Sequence, residues 1–206
     1  MNRRQKEQAR LTCQISIGLM AGVFSVIPAA SAAPVHDSGS SYNTVPAANI
    51  TTSGTVTNVQ GPSTNNVVAW KDFSVGAKET VRFDGGAKTN NYLNVVTGQS
   101  TSQIAGKIQG GNDVYIVNPH GVMFGKGAQV DVGNLYVSTE NTADAVNAFA
   151  TNSKTGADVI KAGTANADVV NLGTLQAAEV QVSGKNIRFL DSAKVLDTNG
   201  AANTKV

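Results

Sequence analysis

The run Val114-Tyr115-Ile116-Val117-Asn118-Pro119-His120-Gly121-Val122-Met123-Phe124-Gly125 most constrains how this chain can fold. A short β-type apolar run stops at Asn-Pro-x-Gly, and a second apolar patch begins at once. Asn118 and Pro119 favour a turn, and Pro119 has no N–H to give a strand ladder. Gly121 can adopt a positive φ at little cost. The peptide reads as strand, sharp corner, strand.

Short β-type runs of this kind recur along the chain, split by Gly and Asn. Thr80-Val81-Arg82-Phe83 alternates and stops at Gly85-Gly86, and Tyr92 to Val96 stops before Gly98. Ile104 and Ile108 flank Gly106, and Leu135-Tyr136-Val137, Val169 to Leu175, Val180 to Val182 and Ile187 to Phe189 continue the pattern. Asn171-x-Gly173 and Asn199-Gly200 suggest a weak internal repeat, at a period of roughly 20–50 residues typical of solenoids. Strands this short cannot bury a face alone and need to stack coil on coil. A β-sandwich would use longer strands and more aromatic filling, and only 5% of this chain is aromatic. The expected fold is all-β, a stacked parallel solenoid. Residues 138–168 break the pattern: 143–150 has some helical propensity, but the surrounding Gly, Asn and Thr read as a loop or excursion.

With 206 residues the chain is the size of one domain. Residues 1–32 read as a secretory signal peptide. Arg3, Arg4, Lys6 and Arg10 form a basic start, an apolar stretch follows from Ile15 to Pro28, and Ala30-Ser31-Ala32 is a small-x-small cleavage site. Cleavage removes these four basic residues and Glu7, so a net charge of +2 becomes −1. The apparent basicity belongs to the signal, and the expectation is no nucleic-acid partner. Cys13, the one cysteine, leaves as well, so the mature chain forms no disulfides. Residues 33–48, rich in Ser, Gly, Pro and Asn, read as a flexible leader or the start of a cap, and 49–206 as the β domain.

No phosphate-binding loop, nucleophile elbow or metal-ligand cluster is present in the sequence. His36 and His120 are the only histidines. Neither has a Cys or a second His nearby, and no catalytic residue, metal or cofactor is expected. Asp84 and Asp113, with Lys88 or Arg82, are the only raw material for an acidic-glycan site of the kind β-helical polysaccharide-active enzymes use. Isolated charges at turns are the simpler reading. Trp70, Phe73 and Phe83 fit packing at the end of the solenoid core better than a sugar-stacking platform.

Several stretches in a fixed order carry a family resemblance. They are Val68-Ala69-Trp70-Lys71-Asp72-Phe73-Ser74-Val75, then Val81-Arg82-Phe83, then Leu93-Asn94-Val95-Val96-Thr97-Gly98. Ser102-Gln103-Ile104-Ala105-Gly106-Lys107-Ile108, the Asn118–Gly125 block and Val132-Gly133-Asn134-Leu135-Tyr136-Val137-Ser138-Thr139 follow. This order resembles the N-terminal two-partner secretion domain of filamentous-haemagglutinin-type exoproteins. His120 stands where that family usually has Asn, Val122 where it has Ile, and Ala69 where it often has Asn. The resemblance implies a right-handed parallel β-helix of the pectin-lyase-like kind, with an N-terminal cap and extra-helical β elements. It implies a non-enzymatic domain, secreted or surface-bound by way of the periplasm and associated with adhesion or haemagglutination. Its partner would be a TpsB-type outer-membrane transporter with POTRA domains, with host or bacterial surface glycans as further partners. Asn118, Pro119, His120, Gly121 and Val122 would form the secretion motif. Trp70, Phe73, Leu93, Asn94, Gly98, Gly106, Phe124 and Gly125 would support it. The chain stops after about one domain, so a truncated exoprotein without activity of its own is the alternative, beside the polysaccharide-active enzyme.

Overall fold

The computed structural model describes residues 33–150, 156–160 and 164–205. The signal-peptide reading, on residues 1–32, lies outside the described residues. β1 (Val35–His36), β2 (Ile50–Ser53) and β3 (Val56–Val59) open the described chain. A first coil holds β4 (Asn65–Asp72) and β5 (Thr80–Phe83). The next two hold β6 (Asn91–Val96), β7 (Ser102–Ile104) and β8 (Lys107–Gln109), then β9 (Asp113–Val117), β10 (Val122–Phe124) and β11 (Gln129–Asp131). β12 (Asn134–Ser138) leads into helix α1 (Thr142–Ala150), after which β13 (Val169–Asn171) and β14 (Thr174–Gln176) complete that coil. β15 (Val180–Ser183), β16 (Ile187–Phe189) and β17 (Lys194–Leu196) form the last.

Each coil contributes one strand to each of three sheets, in the orders β1-β4-β6-β9-β12-β15, β16-β13-β10-β7 and β17-β14-β11-β8-β5-β3-β2. Between the coils the strand pairings are parallel, each strand bonding to its counterpart one coil away, and one isolated antiparallel bridge joins Leu196 to Ala202. This is the parallel β-solenoid expected from the sequence, and parallel crossovers of this kind are right-handed almost without exception. Among the described residues the antiparallel strand pairs are β1 on β4 and β2 on β3, both at the N-terminal end. The segment between them continues the edge of β4: Asp37 N–H donates to Ala69 O at 3.0 Å and Thr44 N–H to Val67 O at 3.0 Å. In return Ala69 N–H donates to Asn43 Oδ1 and Val67 N–H to Thr44 Oγ1, so two side chains stand in for a strand.

Register converts short runs into one core. Val81, Ile108, Val130 and Leu175 are consecutive partners in the seven-stranded sheet, and all are buried. Tyr92, Val114, Leu135 and Val180 form a matching line in the six-stranded sheet. Burying each such side chain is worth about 1.5–3 kcal/mol. Trp70, Phe73 and Phe83 lie fully buried in this core, which settles their role as packing.

Two expectations are corrected. Residues 143–150 belong to α1, so the break in the strand pattern is an excursion that carries a helix, not a plain loop. Ala145, Ala148 and Phe149 sit at helical spacing on one side, and that side is buried. It lies on the outer surface of the six-stranded sheet, in a second apolar cluster with Val67, Ala69, Leu93, Val95, Tyr115, Val117 and Tyr136. Thr142 Oγ1 bonds Val96 O at 3.0 Å, which ties α1 back to an earlier coil. Asn171-x-Gly173 and Asn199-Gly200 are also not equivalent positions of a repeat. The first turns from β13 into β14, while the second follows β17.

Phe149→Ala removes the largest side chain holding α1 to the sheet. It is expected to destabilise the domain by about 3 kcal/mol, read by chemical denaturation, and to open α1 first in hydrogen exchange.

Candidate functional site

The Asn118 corner joins β9 of the six-stranded sheet to β10 of the four-stranded one. Gly121 N–H donates to Asn118 O at 3.0 Å, closing a four-residue turn with Pro119 at its second position. Asn118 is fully buried. Its Oδ1 accepts the His120 N–H at 2.9 Å, and its Nδ2 donates to Ser100 O and Ser102 Oγ, each at 2.9 Å. Its own N–H donates to Ser138 O at 2.9 Å. One side chain and one amide therefore bind the coil before and the coil after. Gly121 has φ +104°, and a Cβ there would sit 3.1 Å from Asp168 O. Thr101 Oγ1 bonds His120 O at 2.7 Å, while the His120 residue itself is exposed. Val122 and Phe124 turn inward and are buried, and Gly125 continues the chain over Ile104.

The other motif residues do not converge on this corner. Trp70 lies beneath the N-terminal cap, edge-on to His36 at 5.8 Å and 5.2 Å from Phe73. Its indole N–H donates to Asn94 Oδ1 at 3.0 Å, and Asn94 Nδ2 donates to Tyr115 O at 3.1 Å. Leu93 faces outward into the cluster under α1. Gly98 marks a close approach: a Cβ there would lie 1.9 Å from Lys71 O. Gly106 is as tight against Gly76 O, at 2.1 Å. The motif is thus a set of coil-to-coil contacts, not a pocket.

Two polar arrangements escaped the sequence reading. Asn91 Nδ2 donates to Asn65 Oδ1 at 2.8 Å, Asn112 Nδ2 to Asn91 Oδ1 at 2.9 Å and Asn134 Nδ2 to Asp113 Oδ1 at 2.7 Å, a ladder climbing one edge of the six-stranded sheet. Its signal was present, because the last two steps each span 21 residues. The second is Asp84, held at φ +49°. Its carboxylate accepts the Tyr92 hydroxyl, Thr89 Oγ1 at 2.9 Å, Asn90 N–H at 2.9 Å and Asn90 Nδ2 at 3.0 Å. Burial works to raise its pKa, and the hydrogen bonds, Tyr92 foremost, outweigh it and hold the group below its ordinary value. Burial, then Asp84, push the Tyr92 phenol up. Asp84 and Asp113 are each committed to their own donors, and Lys88 pairs with Asp131 at 2.6 Å. Among the described residues no group of three His, Cys, Asp or Glu is placed to hold a metal ion.

The family model of the TPS secretion domain matches residues 33–205. The chain belongs to this family. The match spans the whole described solenoid, cap and last coil included. Two heme/hemopexin-binding proteins of Haemophilus influenzae are similar to this TPS domain in sequence. One is 31% identical over 94 residues, covering 46% of this chain and 10% of that protein. The other is 35% identical over 91 residues, covering 44% and 10%. The chain thus matches about a tenth of the length of these curated relatives. The crystal structure of the HMW1 secretion domain from Haemophilus influenzae shares the fold. It superposes with a TM-score of 0.56 at 19% identity, covering 79% of this chain and 41% of that one. TPS domains act in two-partner secretion of exoproteins that are released or held at the cell surface, and the family implies an outer-membrane transporter as partner.

Asn118→Ala strips three side-chain hydrogen bonds from a buried corner and is expected to cost about 2–3 kcal/mol, measured by urea unfolding. Asp84 gives a pH signature. Its folded pKa is depressed, so its stabilisation is complete above the unfolded carboxylate pKa and fades as pH falls through the lowered folded value. Acid titration of stability should show this loss in the parent, and Asp84→Asn should flatten it.

Proposed function

We propose that this chain is the non-enzymatic region of an exoprotein by which a TpsB-type outer-membrane transporter recognises and exports it. The carrying observation is the TPS match from residue 33 to 205. Residues 1–32 serve as the signal peptide that delivers the chain to the periplasm. There the extended chain meets the transporter's POTRA domains, adding a strand to an exposed sheet edge. Outside the cell the coils fold one on the last, and the folded domain contributes to adhesion at host or bacterial surface glycans. Heme and hemopexin binding, named for the two relatives, is no part of this reading.

The Asn118 corner has a specific place in it. A solenoid propagates through nearest-neighbour contacts, and this corner ties its coil to both neighbours at once. Pro119, Gly121 and Val122 set the turn length, so that β10 enters in register with β7. An enzymatic alternative finds little support in residues whose carboxylates are already filled by Tyr92, Thr89, Asn90 and Asn134.

Co-expression with the cognate transporter tests the assignment. Asn118→Ala and Gly121→Val are expected to reduce secreted protein severalfold. His120→Asn, at an exposed site, should be exported like the parent. Undiminished secretion of both corner variants would remove the corner from the mechanism.

A further inference from the structure

The three outer faces of the solenoid differ. That of the six-stranded sheet is covered by α1 and its flanking residues. That of the four-stranded sheet is a single row of side chains, Gln103, Met123, Val170 and Arg188. The seven-stranded sheet is open along its length. Its strands β5, β8, β11, β14 and β17 are parallel and in strict register, so outward side chains form straight columns along the solenoid axis. One column reads Thr80, Lys107, Gln129, Thr174, Lys194. The next reads Arg82, Gln109, Asp131, Gln176. Lys107, Gln129 and Lys194 are exposed, and the glutamines and threonines between them are half-buried or exposed.

This surface combines three properties. It is flat and lined by amides and hydroxyls, which exchange hydrogen bonds with sugar hydroxyls in both directions. It is basic, because Asp131 is neutralised by Lys88 while Arg82, Lys107 and Lys194 form no ion pair among the described residues. In the turns that enter these strands, the exposed Lys126 before β11 is offset by the exposed Asp191 before β17, so the positive balance of this surface comes from the strand residues themselves. Its columns repeat at the strand spacing of about 4.8 Å, close to the rise of one pyranose along an extended glycan. An anionic membrane would want an apolar anchor as well, and among the described residues the large exposed apolar ones, Val35, Ile187 and Phe189, lie on other strands.

We propose that the outer face of the seven-stranded sheet binds a uronate-bearing polysaccharide laid along the solenoid axis, one sugar per strand. Hydroxyls of successive sugars meet Thr80, Gln109, Gln129, Thr174 and Gln176, and the carboxylates meet Lys107, Arg82 and Lys194. The inference rests on the surface-glycan part of the proposed function. It stands apart from the transporter step, because these columns exist only after the coils have stacked.

The test is calorimetric titration of the folded secreted protein with a length series of oligogalacturonates, with neutral cello-oligosaccharides as control. Affinity should climb with length until the chain spans the five strands, at about five sugars for a one-per-strand fit, and then level off. Neutral oligomers should bind more weakly at every length. The double variant Lys107→Gln/Lys194→Gln should bind at least about tenfold more weakly with unchanged melting. Lys185→Gln/Lys205→Gln, with the same charge change off this face, should bind like the parent. Four results would each overturn the proposal: no binding at any length, a digalacturonate as tight as the longest oligomer, equal loss in the two double variants, or preference for phosphatidylglycerol vesicles over polygalacturonate. Export with the transporter is read separately, so normal secretion alongside absent binding would remove the glycan face alone.

Discussion

Coverage of each coil by the next is the constraint on which the rest of this structure depends. Strands such as β7, β8, β10 and β11 have three residues each, with one or two side chains pointing inward. No such strand buries its apolar face by itself. Val130 is buried because Ile108 lies on one side of it and Leu175 on the other. The same requirement makes register strict, since a slip of one residue would turn a whole line of side chains outward. It also explains the exposure of Ile187 (45%) and Phe189 (39%). They partner Val169 and Asn171 and occupy inward-facing positions of the last coil, with no further described coil over them. At the other end β1 and β2 run antiparallel and close the first coil.

A core built this way must absorb polar groups, because every coil turns three corners. Buried donors left unpaired cost about 1–3 kcal/mol each. Asn118 and Asn171 meet this with the same local device, a side-chain oxygen accepting the N–H two residues on, which Asp197 and Asn203 repeat at exposed turns. The corners differ in what remains. Asn118 Nδ2 reaches Ser100 and Ser102 of the preceding coil. Asn171 Nδ2 is buried without a partner, and its neighbours in register, Phe124 and Phe189, offer no acceptor. Inside the first coils Trp70 and Asn94 solve the problem together: the indole needs an acceptor, and the amide spends its own donor on Tyr115 O.

What could be read from the sequence follows from how local each interaction is. The Asn118 corner was legible because proline, glycine and an Asx side chain act within four residues. The short strands were legible from their apolar alternation and their glycine stops. α1 was not: Ala145, Ala148 and Phe149 carry a helical pattern, but its value depends on an outer sheet surface made by Leu93, Val95 and Tyr115, far away in sequence. The Trp70–Asn94 bond was hidden for the same reason, since its partners meet only when coils stack, whereas the Asp84–Tyr92 bond closes the connection from β5 to β6 and depends on the positive φ of Asp84. Asn171 and Asn199 misled because they play different parts in their turns: the Asn171 side chain accepts the Gly173 N–H, while Asn199 gives its own N–H to Asp197 Oδ1.

The excursion between β12 and β13 gives the solenoid its asymmetry. Tyr115 and Tyr136 stack at 4.7 Å on the outer surface, with Phe149 edge-on at 5.5 Å and Gly156 N–H on the Tyr115 hydroxyl at 2.6 Å. The six-stranded sheet is therefore buried on both faces, which accounts for the unbroken burial of Tyr92 to Val96 and Val114 to Val117. The seven-stranded sheet keeps its alternation, buried inward and polar outward, through β5, β8, β11 and β14. Because Thr139 and Ala167 close the base of the excursion beside Asp168, which also receives Val122 N–H, the same junction covers one sheet and seals the Asn118 corner. The excursion and the corner thus share one backbone junction at Asp168, whose carbonyl accepts the Val122 N–H at 3.2 Å.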